Sequence, residues 1–260
     1  MFATLYGIPI GYDVTGRGIP VLFLHAFPLD RSMFSPLPGV RLITFDAPGA
    51  GESGLPPGDL RMETLADIAA GLLDLLRIEK AVVGGVSMGG YAAFGFVRRH
   101  PGRLLGLILS DTRAVADSPE GRKARYEMRD AARSLGSAEI ARRMLPRLLG
   151  ETTRRENPAV VEQVRLMIER QDPEGIAHLL EALAERRDST ALLEQIAVPT
   201  LVVAGEEDVI ATVAESSEMA KRIPGARLAI IPKAGHLPNL EQPERFEKAV
   251  ESFLQEIKRE

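Results

Sequence analysis

The amino-acid sequence predicts an α/β fold, in which helices cover both faces of a mostly parallel central sheet. Two observations predict this fold. Short apolar runs alternate with segments of helical spacing in both the first and the last part of the chain. From residue 113 to residue 197 this alternation stops, and the pattern is helical only. We therefore expect a core formed by residues 1–112 and 198–260, with residues 113–197 inserted as an all-helical cap.

The first part of the chain contains most of the predicted strands. Val21 to Leu24 and Leu42 to Phe45 are continuous apolar runs, which are typical of parallel strands buried on both faces. Gly7-Ile8-Pro9 separates two shorter runs and predicts a hairpin. The pattern predicts strands at residues 3–6, 10–14, 21–24, 42–45, 81–86 and 104–109, and helices at residues 64–77 and 88–100.

The inserted segment and the last part of the chain follow the same reasoning. Within the cap, apolar residues at helical spacing predict helices at residues 122–135, 138–149, 159–169, 174–185 and 190–196. The alternation then resumes with strands at residues 200–204 and 228–231 and helices at residues 213–221 and 244–257. Ligands of such folds bind at the carboxyl ends of the strands, so we expect a site there.

The composition excludes several classes of protein. With 45% hydrophobic and 26% charged residues, the sequence is typical of a soluble globular protein, and its apolar runs are too short to cross a membrane. The first residues lack the pattern of a secretory signal, so we expect a cytoplasmic protein. The absence of cysteine excludes disulfides, thiolate zinc sites and a cysteine nucleophile, and four histidines do not favour a metal site.

Charge and residue usage give two further expectations. A net charge of -4 provides no basic surface for nucleic acid, and the arginines between Arg113 and Arg187 alternate with acidic residues, as on a solvated helical face. Asn and Gln together number seven, and Arg outnumbers Lys 26 to 6. This usage is compatible with a thermophilic source and equally with a GC-rich genome.

A serine framed by glycines follows the predicted strand at residues 81–86. The pattern Gly85-Val86-Ser87-Met88-Gly89 lies between that strand and the helix at residues 88–100. A Gly-x-Ser-x-Gly turn in this context holds the serine in a strained, outward-pointing position, where its hydroxyl can attack a carbonyl carbon. The context is more informative than the motif, because so many glycines produce this pattern easily by chance.

A serine nucleophile requires a base, and the base requires a carboxylate that orients it. Asp208 follows the predicted strand at residues 200–204, and His236 follows the strand at residues 228–231. Asp111, after the strand that precedes the cap, is an alternative acid. The favoured order of nucleophile, acid and histidine along the chain is therefore Ser87, Asp208 and His236.

Five motifs in this order resemble those of the α/β-hydrolase superfamily. They correspond to its oxyanion loop, the turn after its next strand, its nucleophile elbow, its acid turn and its histidine loop, at residues 25–30, 46–53, 85–90, 205–208 and 235–243. The resemblance covers almost the entire chain and implies the α/β-hydrolase fold. Within the superfamily the sequence most resembles small capped carboxylesterases and 3-oxoadipate enol-lactonases, and residues 109–113 add to that resemblance.

The resemblance implies a role for each matching residue. Ser87 is implied as the nucleophile, His236 as the general base and acid, and Asp208 as the residue that orients the histidine. The backbone N–H groups of Phe27 and Met88 are implied as the oxyanion hole, and no cofactor or metal is required. Ala26 stands where relatives more often carry glycine, so a positive φ at Ala26 would strain this loop.

These roles predict a serine carboxylesterase that hydrolyses small or short-acyl esters. Leu29 and Leu237 on the loops, with Met144 and Met167 in the cap, are candidate substrate contacts; packing within the cap is the alternative for the methionines. An enol-lactonase is an alternative, in which arginines such as Arg113 would bind a substrate carboxylate. A non-enzymatic ligand receptor on the same fold is a further alternative. We expect a small-molecule ester as partner and neither nucleic acid nor membrane, and the sequence leaves the oligomeric state open.

Overall fold

The fold is centred on one eight-stranded sheet. The computed structural model describes residues 1–257, and its strands are arranged in the order β1-β2-β4-β3-β5-β6-β7-β8. The strands are β1 (Phe2–Leu5), β2 (Ile8–Gly16), β3 (Ile19–Leu24), β4 (Val40–Phe45), β5 (Ala81–Val86), β6 (Leu104–Ser110), β7 (Thr200–Gly205) and β8 (Arg227–Ile231). β2 pairs antiparallel with β1 and with β4, and all pairs from β4 to β8 are parallel. The predicted mostly parallel sheet is therefore confirmed.

Side chains of the central strands alternate between two hydrophobic clusters, one on each face of the sheet. In β3, Val21 and Phe23 belong to one cluster, whereas Leu22 and Leu24 belong to the other. This alternation follows from the two-residue period of a strand, and it explains why a buried parallel strand is apolar throughout. Both faces are covered, so the sheet is the centre of the hydrophobic core.

The helices of the core divide between the two faces. α1 (Met62–Leu75), α2 (Met88–Arg99) and α8 (Val213–Arg222) contribute to the larger cluster. α10 (Pro243–Ile257) covers the opposite face with Phe246, Val250, Phe253 and Leu254, which recur at helical spacing. A short helix, α9 (Pro238–Glu241), precedes α10. None of the helices within residues 1–257 combines the length and the apolar character that crossing a membrane requires.

Five helices lie between β6 and β7, and we call them the inserted helices. They are α3 (Pro119–Leu135), α4 (Ser137–Leu148), α5 (Glu151–Glu156), α6 (Pro158–Glu169) and α7 (Pro173–Ala184). α3 packs against α7, and α4 packs against α6. α5 was not predicted, because Glu-Thr-Thr-Arg-Arg-Glu has no apolar periodicity. The helix expected at residues 190–196 is a 3₁₀ turn at Thr190–Gln195.

Polar contacts tie the inserted helices to two loops of the core. Asp30 is buried on the loop after β3, and its carboxylate accepts from Arg170 Nη2 at 2.6 Å and from Gln171 Nε2 at 2.8 Å. On the opposite side, Glu241 accepts from the backbone N–H of Gly150 at 2.8 Å and of Gly235 at 2.9 Å. The inserted helices are thereby held against the carboxyl ends of the strands.

Candidate functional site

Ser87 lies in the tight turn that joins β5 to α2. Its backbone has φ 54° and ψ -109°, a conformation that is unfavourable for a residue with a side chain. The N–H of Ser87 donates to the carbonyl oxygen of Ser110 at 2.8 Å, which ties the turn to the end of β6. A strained backbone at the end of a central strand is the geometry that presents a serine hydroxyl to a bound substrate.

The glycines beside Ser87 permit this turn by their lack of a side chain. A Cβ atom at Gly85 would lie 2.0 Å from the carbonyl carbon of Gly89, and a Cβ atom at Gly89 would lie 2.0 Å from the carbonyl oxygen of Leu24. A residue with a side chain fits at neither position unless the backbone moves. The motif is therefore required for the close approach of β5, β3 and α2.

A buried imidazole and carboxylate lie together at the same edge of the sheet. His236, on the loop after β8, places Nδ1 2.7 Å from Oδ2 of Asp208, on the loop after β7. Both residues are buried, and Oδ1 of Asp208 accepts from the N–H of Ile210 at 2.7 Å. Because the carboxylate can only accept, Nδ1 carries a proton, and Nε2 is left as the basic nitrogen of a neutral ring. His236 and Ser87 line one cavity.

Asp111 lies beside this pair, at the end of β6. Its carboxyl group accepts from the N–H of Gly205 and from the hydroxyl of Ser110, each at 2.7 Å. Burial raises the pKa of Asp111 well above its usual range, and the nearby Asp208 carboxylate raises it further. Polar atoms of Asp111, Asp208 and His236 lie within 4.8 Å of one another. Three such side chains can hold a metal ion, but here Nδ1 of His236 is engaged with Asp208, as in an acid–histidine pair.

The loop after β3 contributes the other side of the site. Phe27 and Met88 both line the cavity, and within residues 1–257 the N–H of neither residue has an acceptor. The backbone of Ala26 lies outside the left-handed region, so alanine at this position does not strain the loop. His25 is bonded to backbone through both ring nitrogens: Nε2 accepts from the N–H of Ala47 at 2.9 Å, and Nδ1 lies 2.9 Å from the carbonyl oxygen of Ala26. This is the arrangement of a loop-stabilising histidine.

The cavity above Ser87 has a volume of about 440 Å³ and lies between the core and the inserted helices. Its apolar wall includes Met128, Met144, Leu148 and Leu183. Of the four candidate contacts from the sequence, only Met144 is part of this wall; Leu29, Met167 and Leu237 are buried outside it. Helical spacing identifies the apolar face of a helix, but it cannot tell whether that face meets another helix or an open cavity.

The polar wall of the cavity is rich in arginine. Arg113 pairs with Glu215 at 3.7 Å, Arg125 pairs with Asp117 at 3.1 Å, and Arg143 pairs with Glu139 at 2.7 Å. Arg147 also lines the cavity, and it forms no ion pair with any of the residues that the structure describes. The sequence predicted a solvated helical face for the arginines between Arg113 and Arg187, with binding of a substrate carboxylate by arginines such as Arg113 as the alternative, and it did not single out Arg147. The i, i+4 spacing of Arg143 and Arg147 beside Met144 was the available signal.

The sequence matches a known protein family over most of its length. A family model described as the alpha/beta hydrolase family matches residues 21–249. Over 213 residues the chain is 32% identical to 3-oxoadipate enol-lactonase 2 of Acinetobacter baylyi, a match that covers 82% of this chain and 78% of that protein.

Two solved structures are similar over almost their whole length. One is a thermophilic esterase from Thermogutta terrifontis with malate bound, at a TM-score of 0.95 and 43% identity over 99% of this chain and 98% of that chain. The other is the enol-lactonase from Burkholderia xenovorans LB400, at a TM-score of 0.90 and 30% identity over 98% of this chain and 100% of that chain.

Proposed function

Because the chain belongs to the alpha/beta hydrolase family, we propose that it is a serine carboxylesterase that hydrolyses small or short-acyl esters. Esterases and enol-lactonases among its relatives support a hydrolase of the ester or lactone type. The main support for a serine carboxylesterase is the buried His236–Asp208 pair, because His236 lines the same cavity as the strained Ser87. Nucleophile, base and orienting acid are the three roles that acyl transfer to serine requires.

The proposed reaction begins with attack of the Ser87 hydroxyl oxygen on the ester carbonyl carbon. Nε2 of His236 takes the hydroxyl proton, and the Asp208 carboxylate stabilises the imidazolium through Nδ1–H. The carbonyl oxygen becomes an oxyanion, for which the N–H groups of Phe27 and Met88 are the proposed donors. Collapse of this intermediate breaks the bond to the alcohol, which leaves with the proton from His236.

A water molecule completes the cycle. His236 takes one proton from the water as its oxygen attacks the acyl-enzyme, and the proton returns to Ser87 as the carboxylic acid leaves. We propose that the inserted helices act as a cap over this chemistry. The cavity of about 440 Å³ beneath them is near the lower end of small-molecule sites, which supports a preference for short acyl groups.

The test is a series of p-nitrophenyl esters of increasing acyl length. We expect turnover of the acetate and butyrate esters, a fall in kcat/KM for long acyl chains, and loss of at least ~10³-fold in kcat for Ser87→Ala. Ser252→Ala, an exposed serine on α10, is the matched control and retains wild-type rates. Turnover that survives Ser87→Ala contradicts the proposal. Folded wild-type protein without turnover favours a ligand receptor instead.

A specific observation favours a second candidate, a lactonase whose substrate carries a carboxylate. Within residues 1–257 no carboxylate pairs with the Arg147 guanidinium in the cavity wall, and Arg143 lies one turn away on the same face of α4. A guanidinium binds a carboxylate through two parallel hydrogen bonds, so this wall suits an anionic ester or lactone. Two relatives that are named as enol-lactonases also support a lactonase.

A matched pair of substrates tests this candidate. For an ester or enol-lactone with a free carboxylate, Arg147→Gln raises KM by ~10-fold, whereas the corresponding methyl ester is unaffected. Arg142→Gln, on the exposed side of α4, is the control and changes neither value. Equal effects of Arg147→Gln on both substrates exclude a carboxylate site at this position. A kcat/KM for the enol-lactone far above that for simple esters favours the lactonase over the esterase.

A further inference from the structure

Asp111 is a buried carboxyl group that the proposed mechanism does not use. It is only 1% exposed, and its backbone has φ 47°, a left-handed conformation that is uncommon for a residue other than glycine. Strain of this kind persists where the surrounding structure requires the residue, and it is often found at functional sites. The protein therefore retains a costly carboxyl group directly beside the proposed triad.

Two carboxyl groups and one imidazole lie close together in this buried region. Polar atoms of Asp111, Asp208 and His236 lie within 4.8 Å of one another, and the carboxyl groups of Asp111 and Asp208 are within hydrogen-bonding reach. At that distance in a buried site two carboxylates repel strongly, so they share a proton. The imidazole can balance one negative charge at most.

Hydrogen bonding decides which of the two groups is the anion. Asp208 accepts from Nδ1–H of His236 and from the N–H of Ile210, so its partners include the group that becomes positively charged during the reaction. Asp111 accepts only from a peptide N–H and from the Ser110 hydroxyl, which are neutral. The negative charge is better stabilised on Asp208, and the proton therefore belongs on Asp111.

We propose that Asp111 is a positioning residue, which stays protonated at neutral pH and donates its O–H to the Asp208 carboxylate. This inference rests on the proposed roles of Asp208 and His236. The donated hydrogen bond joins those from His236 and Ile210 and fixes the orientation of the carboxylate toward Nδ1. Asp208 then carries the only negative charge of this three-residue cluster.

The elements packed around Asp111 bring few titratable groups to it. β6 contributes Ser110, and β7 contributes the N–H of Gly205. Asp208, on the loop after β7, and His236, on the loop after β8, are the titratable groups of the three-residue cluster. A change in the charge of Asp111 is therefore expected to act on His236, where kinetics can detect it.

Two variants of Asp111 test this role through the pH profile of kcat/KM. In Asp111→Asn the amide still donates to Asp208, so kcat falls only about fivefold and the acid limb of the profile keeps its position. In Asp111→Ala the donor is lost, and we expect a fall in kcat of about 100-fold with little change in KM. If Asp111→Asn keeps most of the activity that Asp111→Ala loses, Asp111 acts through a hydrogen bond rather than by filling space.

Two kinetic results would overturn the proposal. If Asp111→Asn shifts the acid limb by about one pH unit or more, the wild-type residue is ionised and acts through its charge. If Asp111→Asn loses activity ~10⁴-fold while Asp208→Asn retains it, Asp111 is itself the triad acid.

An infrared measurement tests the protonation state without activity. At pH 7 the proposal expects the carbonyl stretch of a protonated carboxylic acid in wild-type protein and in Ser87→Ala, and its loss in Asp111→Asn. Absence of that band from folded protein refutes the proposal even if Asp111→Ala fails to fold. If the band is present but the protein has no esterase activity, Asp111 is protonated as proposed, and only the proposed function is contradicted.

Discussion

The substitution Asp117→Asn tests how strongly one buried ion pair holds the inserted helices together. Asp117 precedes α3 and lines the cavity, and Arg186 follows α7. Nη1 of Arg186 lies 2.6 Å from Oδ2 of Asp117, with the two side chains only 3% and 6% exposed, respectively. Nε of Arg125 lies 3.1 Å from the same oxygen. The guanidinium of Arg186 also stacks on Tyr91, 4.3 Å from the ring centre.

The magnitude follows from the pKa of Asp117. Burial opposes its ionisation, but the hydrogen bond from Arg186 and the charges of Arg125 and Arg186 outweigh burial and hold the pKa at about 2, against an ordinary value of 3.8. Since the folded-state pKa is depressed, the stabilisation is fully present above the unfolded-state pKa and is lost as the pH falls from about 4 toward 2. The difference corresponds to about 2.5 kcal/mol, and allowing for solvent screening at the cavity we expect about 2 kcal/mol at pH 7.

Urea denaturation at two pH values measures this contribution. We expect Asp117→Asn to lower the free energy of unfolding by about 2 kcal/mol at pH 7 and by less than half of that at about pH 2.5. Glu139→Gln is the control, because Glu139 also has a pKa of about 2, but its partners Arg142 and Arg143 are 71% and 37% exposed. The control is expected to show no resolvable change. A loss that is independent of pH, or equal in the two variants, would refute the reasoning.

Three further substitutions probe the loops around the site. Gly89→Ala forces a Cβ atom against the carbonyl oxygen of Leu24. We therefore expect a ~100-fold lower kcat on p-nitrophenyl acetate and a lower Tm, and wild-type kinetics would contradict this packing argument. Glu241 accepts buried hydrogen bonds from the backbone N–H groups of Gly150, Gly235 and Leu237. Glu241→Gln weakens this set and should lower the free energy of unfolding by about 1–3 kcal/mol in urea, while KM stays nearly constant. Asp30→Asn weakens the contact with Arg170, and we expect a several-fold fall in kcat, most clearly at low salt, because the loop after β3, the proposed oxyanion loop, becomes less ordered. An effect that does not depend on salt would argue against an ionic role.

Much of the core could be predicted from the sequence because its strands are buried on both faces. Continuous apolar runs such as Val21 to Leu24 are visible without knowledge of their neighbours, and β5 has the predicted bounds, Ala81–Val86. The glycines around Ser87 also act locally, since they relieve contacts with backbone only a few residues away or on the adjacent strand. Features that depend on local chemistry could therefore be predicted from the sequence.

Features that depend on how the inserted helices face one another were not accessible. Met144 and Met167 lie at similar apolar positions of two helices, yet Met144 faces the cavity and Met167 is buried between helices. Which face of α4 meets the cavity is decided by its packing against α3 and α6, which has no signature in the periodicity. Arg147 was not singled out for the same reason, because the sequence does not show which side chains of α4 line a cavity and which lie in solvent.

The close approach of backbone around Ser87 has an evolutionary consequence. The turn that holds the serine is packed mainly through main-chain atoms of Gly85, Gly89 and Leu24. Much of the cavity wall consists instead of side chains of the inserted helices, such as Met128 and Met144. Substitutions in these helices can therefore change the cavity while the proposed nucleophile keeps its position, which makes the inserted helices the first target for directed evolution of the proposed substrate selectivity.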